Sequence, residues 1–313
     1  MENKEKSFVS AVIYVHNAHE RLEGFLRTII KVMESNFEHS EIICVNDFSD
    51  DDSLSAIKTI SNDAETTSIT VVNMSYYHGL ELAMNAGVDM AIGDYVFEFD
   101  NTFIDYDPDM IMKVYRHALE GYDIVSASPD RKEKFSSRLF YRIFDRYADI
   151  PSNMSTETFR VISRRVINRI SSMNKSIFYR KALYANCGLK TDTIRYSVSA
   201  KTKVPTDKKE KSYRSGLALD SLLLFTKVGY RFSMVMTFLM MFMSLAVVAY
   251  AVITYIMANP VAGWTTTMVL SSAGFSGTFL LFAIVIKYLS LLVDLIFHNQ
   301  KYLVASVDKV QNE

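Results

Sequence analysis

Residues 41–53 read EIICVNDFSDDDS, an apolar run of strand length that ends at Asn46-Asp47 and gives way to an acidic loop. Ser53 then stands as an N-cap for an apolar stretch, Leu54–Ile60. A strand passing directly into a helix through a polar loop is the unit from which parallel sheets are built. The same unit recurs on both sides. Upstream, Phe8–Val15 (FVSAVIYV) is β-branched and apolar, and Leu22–Ser35 places Leu22, Phe25, Leu26, Ile29, Ile30 and Val32 on one helical side. Downstream come a third strand at Ser68–Asn73, a helix at Gly79–Ala91 and a fourth strand, Tyr95–Phe99 (YVFEF), ending at Asp100. Strands this continuously apolar predict a sheet covered on both faces. Ligands of such sheets gather at the carboxyl ends of the strands. Three of those ends carry polar pairs: His16-Asn17, Asn46-Asp47 and Asp100-Asn101.

The chain has 313 residues, enough for a large core, with 49% hydrophobic and 22% charged side chains. That balance excludes disordered and collagen-like chains. A net charge of −1 conceals a division. Residues 1–130 carry 24 acidic against 8 basic side chains, net −16, and residues 131–232 carry 8 against 23, net +15. Two cysteines, Cys44 and Cys187, give neither a disulfide framework nor metal-ligand spacing, which fits a reducing compartment.

From Ser233 to Ile286 there is no charged residue, a run of 54. A bilayer core needs about 20 apolar helical residues. The run therefore predicts two transmembrane helices, 233–257 and 268–290, separated by the turn around Asn259-Pro260 and Gly263-Trp264. Basic residues before the first span (Lys208, Lys209, Lys211, Arg214, Lys227, Arg231) and an uncharged connecting loop place the flanking domain in the cytoplasm. The opening residues, MENKEKS, are polar, so no cleavable leader is expected. The sequence thus divides into an α/β domain (1–210), a juxtamembrane amphipathic helix (211–232), two spans and a cytoplasmic tail (291–313). For 211–232 a helix along the headgroups and a helix packed on the domain fit equally well.

Three segments together carry a family resemblance: Val12–Asn17, then Val45–Ser53, then Gly79-x3-Ala83-x-Asn85-x-Gly87-x3-Ala91-x-Gly93-Asp94-Tyr95. In this order they resemble the signatures of family-2 glycosyltransferases with the GT-A fold, a Rossmann-like, mostly parallel sheet. Phe159-Arg160-x2-Ser163-Arg164 resembles an element of the membrane-anchored branch, the bactoprenol glucosyltransferases and dolichyl-phosphate mannose synthases. The likeness extends over about residues 8–304, since Lys287-Tyr288-Leu289 and Lys301-Tyr302-Leu303-Val304 also fit the branch's layout.

The resemblance implies transfer of a hexose from a nucleotide-diphosphate sugar, of the UDP type, to polyprenyl (undecaprenyl) phosphate at the bacterial cytoplasmic membrane. It assigns nucleotide binding to His16, Asn17, Asp47, Ser49, His78 and Asp100, with the Asp47 carboxylate accepting from the base. Asp100, Glu157 and Arg160 are the candidate catalytic residues. Arg131, Arg138, Arg160, Ser163 and Arg164 are the candidate phosphate and acceptor ligands, because a guanidinium fork matches a phosphate. Mg2+ or Mn2+ is the expected cofactor, held by Asp100 with Asp105 or Asp107. Expected partners are the nucleotide sugar, the lipid phosphate and anionic membrane lipids, with a homotetramer implied by resemblance. The basic stretch 201–214 lacks interleaved aromatics and abuts a span, so no nucleic acid is expected. The chain departs from the family at Thr102, where a second Asp is usual, and at Thr158, where an Asp precedes Phe-Arg. Those departures motivate a different class of reading, a non-catalytic membrane scaffold that binds a nucleotide or a partner enzyme. A transferase acting on a polysaccharide acceptor is the remaining alternative.

Overall fold

The computed structural model describes residues 4–130, 157–173, 180–185, 187–198, 228–258, 261–296 and 302–310. The chain divides into two compact units, Met1–Ser221 together with Asn299–Glu313, and Leu222–His298.

The first unit alternates strand and helix, as the sequence predicts through the fourth strand: β1 (Val9–Val15), α1 (His19–Asn36), β2 (Ser40–Asn46), α2 (Ser53–Ser61), β3 (Ser68–Met74), α3 (Leu80–Met90) and β4 (Tyr95–Phe99), and then α4 (Asp109–Leu119) and β5 (Ile124–Pro129). There follow β6 (Phe159–Ser163), α5 (Arg164–Met173), α6 (Arg180–Ala185), β7 (Thr191–Tyr196) and, after the second unit, β8 (Val304–Val310). The eight strands form one sheet in the order β7-β5-β6-β4-β1-β2-β3-β8. The four strands β1 to β4 are mutually parallel, as are β5 and β7, whereas β6 and β8 run antiparallel to their neighbours. The mostly parallel α/β architecture is the one expected.

The two-residue period of the strands sorts their side chains onto opposite faces. Val9, Ala11, Ile13 and Val15 join Ile42 and Cys44 in a core with Leu22, Phe25, Leu26 and Ile29 of α1. Val12, Ile43, Val45 and Val72 form the other core, with Ala83, Met84 and Ala86 of α3. Both faces of β1 and β2 are thus dry, which is why these strands read as unbroken apolar runs. α3 approaches so closely that a Cβ on Gly87 would stand 2.4 Å from Val12 Cγ1 and 2.6 Å from Val45 Cγ2.

The second unit is a pair of packed helices, α7 (Val228–Ala258) and α8 (Trp264–Ile296). Within them Met234–Met257 and Trp264–Leu289 have mean hydropathies of 2.2 and 2.0, enough in length and composition to cross a membrane. Only 11% and 6% of those stretches are buried within the protein, unlike the core helices of a soluble domain. Ser244 Oγ donates to Ser272 O at 2.5 Å, an interhelical bond of the kind that replaces the hydrophobic effect in lipid. Most of the expected juxtamembrane helix lies outside the described residues, and Val228–Phe232 are the first turn of α7.

At the far edge, His117 on α4 is held between Glu120 Oε2 at 2.8 Å and Asp192 Oδ2 of β7 at 2.7 Å. The Asp192 bond raises the His117 pKa, against a smaller opposing effect of burial and with help from Glu120. A group whose folded pKa is raised adds stability below its unfolded value, about 6.5, and that stability is lost as pH rises through the folded value. Wild type should therefore lose its stability advantage over His117→Gln as pH is raised above about 6.5, measured by thermal unfolding at a series of pH values. In the same assay Gly87→Ala should cost about 1–3 kcal/mol through overpacking. Gly24→Ala in α1, whose Cβ meets nothing within 4 Å, should instead stabilise by about 0.5–1 kcal/mol.

Candidate functional site

Because β1, β2, β3 and β4 are parallel, their carboxyl ends open onto one rim. Val15 pairs with Asn46 there, and Ile13 with Phe99, so His16-Asn17, Asp47 and Asp100 emerge side by side. The positive-φ residues other than glycine, among those described, are Asn17 (φ 46°) and Phe48 (φ 55°), both in these rim loops. A phenylalanine in left-handed backbone is strained by about 1–2 kcal/mol, and such strain clusters at functional sites. Phe48 is half-exposed.

The loops are tied to one another. Asn17 N donates to Ser49 Oγ at 3.2 Å, and Asp50 N donates to Asn17 Oδ1 at 2.8 Å. His16 Nδ1 donates to the Asp47 carbonyl at 2.7 Å, and the His16 ring lies 4.7 Å from that of exposed Tyr77. Asp47 itself is fully buried. One of its oxygens accepts from His78 N at 2.8 Å; the other accepts from Gly79 N at 2.8 Å and Tyr14 Oη at 3.0 Å. This carboxylate, expected to meet a base, is buried beneath the rim surface. It braces the start of α3 against the end of β2, and the rim surface is formed by its neighbours His16, Asn17, Phe48 and Ser49. His78 is likewise buried, with Nδ1 donating to the Tyr76 carbonyl at 2.6 Å.

Ten to fifteen ångströms of strand separate the two ends of β6, and this decides which members of the Phe-Arg-x2-Ser-Arg element reach the rim. Phe159 pairs with Phe99 and Arg160 with Glu98, next to Asp100; Ser163 pairs with Tyr95 at the opposite end. Arg164 donates to the carbonyls of Ala91 at 2.7 Å and Gly93 at 2.5 Å, and Ser163 Oγ donates to Asp123 at 3.2 Å. Arg164 therefore secures the turn into β4 and Ser163 the entry to β5, both at the end of β6 away from Asp100. Arg131 and Arg138 lie outside the described residues.

Around Asp100 the structure assembles a buried ionic cluster that brings together the expected Asp100, Glu157 and Arg160 with Glu81, Glu98, Arg180 and Tyr184, which motif reading missed. Arg160 reaches Asp100 Oδ2 at 2.9 Å, Glu157 Oε2 at 3.1 Å and Glu98 Oε2 at 3.3 Å. Arg180, at the start of α6, reaches Asp100 Oδ1 at 2.5 Å, Glu81 Oε2 of α3 at 3.0 Å and Glu98 Oε2 at 3.1 Å. Tyr184 Oη donates to Glu98 Oε1 at 2.5 Å. Both guanidinium side chains are 2% exposed. Burial opposes the charge on Asp100, but Arg180 and then Arg160 outweigh it and hold its carboxyl well below the usual range. The sequence signal for this cluster was Glu98, a charge inside the apolar run YVFEF that burial obliges to find a partner.

The residues present do not fit the expected divalent cation. Both oxygens of Asp100 are engaged by guanidinium groups, and buried Thr102 stands where a second carboxylate would be. Asp105 accepts from Tyr196 Oη at 2.7 Å, and Tyr196 is bonded in turn to Thr158 Oγ1 at 2.5 Å. Asp107 accepts from Asp109 N at 3.1 Å at the start of α4. Among the described residues no group of three His, Cys, Asp or Glu side chains is arranged to hold a metal.

The family model described as glycosyl transferase family 2 matches residues 10–183. The chain belongs to glycosyl transferase family 2. Among relatives of this family 2 member is an uncharacterized glycosyltransferase of Synechocystis sp., 30% identical over 60% of this chain and 60% of that protein. The chain thus spans less than two thirds of that relative's length. A bactoprenol glucosyl transferase of Shigella phage SfV is 26% identical over 83% of this chain and 86% of its own. Among solved structures, a mycobacterial protein is similar with a TM-score of 0.52 at 11% identity, covering 71% of this chain and 75% of that one. The mannosyltransferase PcManGT of Pyrobaculum calidifontis, solved with GDP-Man and Mn2+, has a TM-score of 0.48 at 14% identity, covering 90% and 88%. The GT-A fold expected for the family 2 transferases is the fold observed.

Removing one partner of a buried ion pair leaves the other charges uncompensated, at a cost of about 3–5 kcal/mol. Arg180→Met should lower stability by about that amount in denaturant titration. Arg165→Met should leave it unchanged to within about 0.5 kcal/mol, since that side chain is 70% exposed.

Proposed function

We propose that this chain transfers a hexose from a nucleotide-diphosphate sugar, of the uridine type, to polyprenyl phosphate at the cytoplasmic face of a bacterial membrane. The observation that carries the reading is a single one. The loops after β1 and β2 and the cluster around Asp100 share one rim, in a family 2 chain that continues into two helices of membrane length. The bactoprenol relative supports a lipid-phosphate acceptor.

On this reading the base and ribose lie against the loops of Asn17, Phe48 and Ser49, with exposed Phe48 and Tyr77 offering aromatic faces. The diphosphate end and the sugar lie toward Asp100. A lipid phosphate is already anionic at neutral pH, so its oxygen attacks the sugar's anomeric carbon without a strong general base. The bond from that carbon to the donor phosphate breaks, and the nucleoside diphosphate departs with the electron pair. Arg160 and Arg180 keep Asp100 ionised and fixed in place, and Glu157 belongs to the same cluster. Arg131 and Arg138 in the basic segment remain the proposed ligands of the acceptor phosphate, and membrane lipids and a homotetramer remain the proposed associations.

The engagement of Asp100 by two guanidinium groups, together with Thr102, favours a second reading: a membrane-bound scaffold that binds nucleotide without transferring sugar. Incubation of the full chain in nanodiscs with common nucleotide sugars and undecaprenyl phosphate distinguishes the two. A lipid-linked hexose should form, and Asp100→Ala should lower its rate by at least about 100-fold, the scale of a lost electrostatic group at a reacting centre. Nucleotide binding with no product from any donor would support the scaffold. Product that forms equally on a polysaccharide without the lipid would move the acceptor to that glycan.

A further inference from the structure

β8 follows the membrane-length helices in the chain, yet it belongs to the first unit and forms the edge of its sheet. It pairs antiparallel with β3 from Ile69↔Val310 to Met74↔Val304. Its side-chain hydrogen bonds to β3 fall near the carboxyl end of that strand, where the rim begins. Asn73 Nδ2 donates to Ser306 Oγ at 3.0 Å and to Asp308 Oδ2 at 2.9 Å. The same amide turns its oxygen to Asn46 Nδ2 at 2.9 Å. Asn46 Oδ1 accepts from Ser49 N at 3.2 Å, and Ser49 Oγ accepts from Asn17 N at 3.2 Å. A line of side-chain amides and hydroxyls thus runs from β8 across β3 and β2 to the loop after β1.

A second line runs beside it. Ser75 N donates to the Leu303 carbonyl at 3.0 Å, and Leu303 N donates to His78 Nε2 at 3.1 Å. With Nδ1 donating to Tyr76 O, both nitrogens of the His78 ring are fixed, one as donor and one as acceptor. The backbone N–H of His78 then donates to Asp47. Tyr302 Oη donates to Asp89 Oδ2 at 2.8 Å and fastens the same segment to α3. Every loop assigned to the base and ribose is therefore tied, through one to three side chains, to residues 302–308.

We infer that the C-terminal strand is a positioning element of the donor-nucleotide rim, acting through Asn73 and His78 on the loops at 46–49 and 16–17. This rests on the donor reading given above. An amide such as Asn73 would otherwise be free to rotate, and its orientation decides whether Asn46 presents an oxygen or a nitrogen to Ser49.

The test uses the full chain in nanodiscs, with UDP as probe and calorimetry as readout. Ser306→Ala/Asp308→Ala removes both acceptors of Asn73 and should raise the UDP Kd about fivefold, the effect of losing one to two hydrogen bonds. Asp308→Asn keeps an acceptor oxygen and should hold the Kd within about twofold. A chain ending at Lys301 should lose at least about tenfold in UDP affinity and regain it when a peptide of residues 302–313 is added. A purely structural strand would lower the melting temperature of the double variant and leave its Kd at the wild-type value, and that outcome overturns the inference. UDP affinity retained in both the double variant and the shortened chain overturns it as well. Failure of wild type to bind UDP or any other nucleoside diphosphate instead sinks the donor reading and the inference with it.

Discussion

Two guanidinium groups buried at the rim of the sheet constrain the rest of the first unit. A buried charge is tolerated only when paired, and Arg160 and Arg180 together satisfy that condition through Glu81, Glu98, Asp100 and Glu157. These residues come from α3, β4, the approach to β6, β6 itself and α6, so the cluster cannot form unless all of those elements meet. A buried ion pair contributes little net stability against an apolar replacement, but losing one partner is costly. The cluster therefore acts as a condition on the arrangement more than as a source of energy, and it fixes the one carboxylate, Asp100, that lies at the centre of the proposed chemistry.

The division of charge along the sequence has a concrete counterpart here. Glu81, Glu98 and Asp100 belong to the acidic first segment, and Arg160 and Arg180 to the basic one that follows. Part of the basic charge is thus turned inward, and Arg164 is turned to backbone carbonyls. In these residues the basic charge is an internal counterweight to the acidic side chains of the first segment.

Strands β1 to β4 and helices α1 to α3 were legible because burial on both faces of a parallel sheet imposes continuous apolar runs and one-sided helices. The two membrane-length helices were legible because 54 residues without a charge have few other destinations. The strand β8 was expected only as tail, since VASVDKV mixes polar and apolar residues as an edge strand does and carries no sign of its distant partner. The site was legible as a location and less so as chemistry. Motif matching found Asp47, but could not show that its carboxylate is buried and bonded to the start of α3. It put Ser163 and Arg164 with Arg160, because a six-residue motif does not reveal that its two halves lie at opposite ends of a strand. Arg180 gave no local signal; its role follows from Glu98 and Glu81, which need a cation that only the fold can bring.

The most direct measurement is an electron cryo-microscopy map of the full chain in lipid nanodiscs with UDP. Nucleotide density should lie along the carboxyl ends of β1, β2 and β4, with the base against the loops of Asn17 and Phe48 and the diphosphate toward Asp100, which sits between Arg160 and Arg180. Nucleotide bound at the amino ends of those strands, or on a face of the sheet away from Asp100, would contradict it.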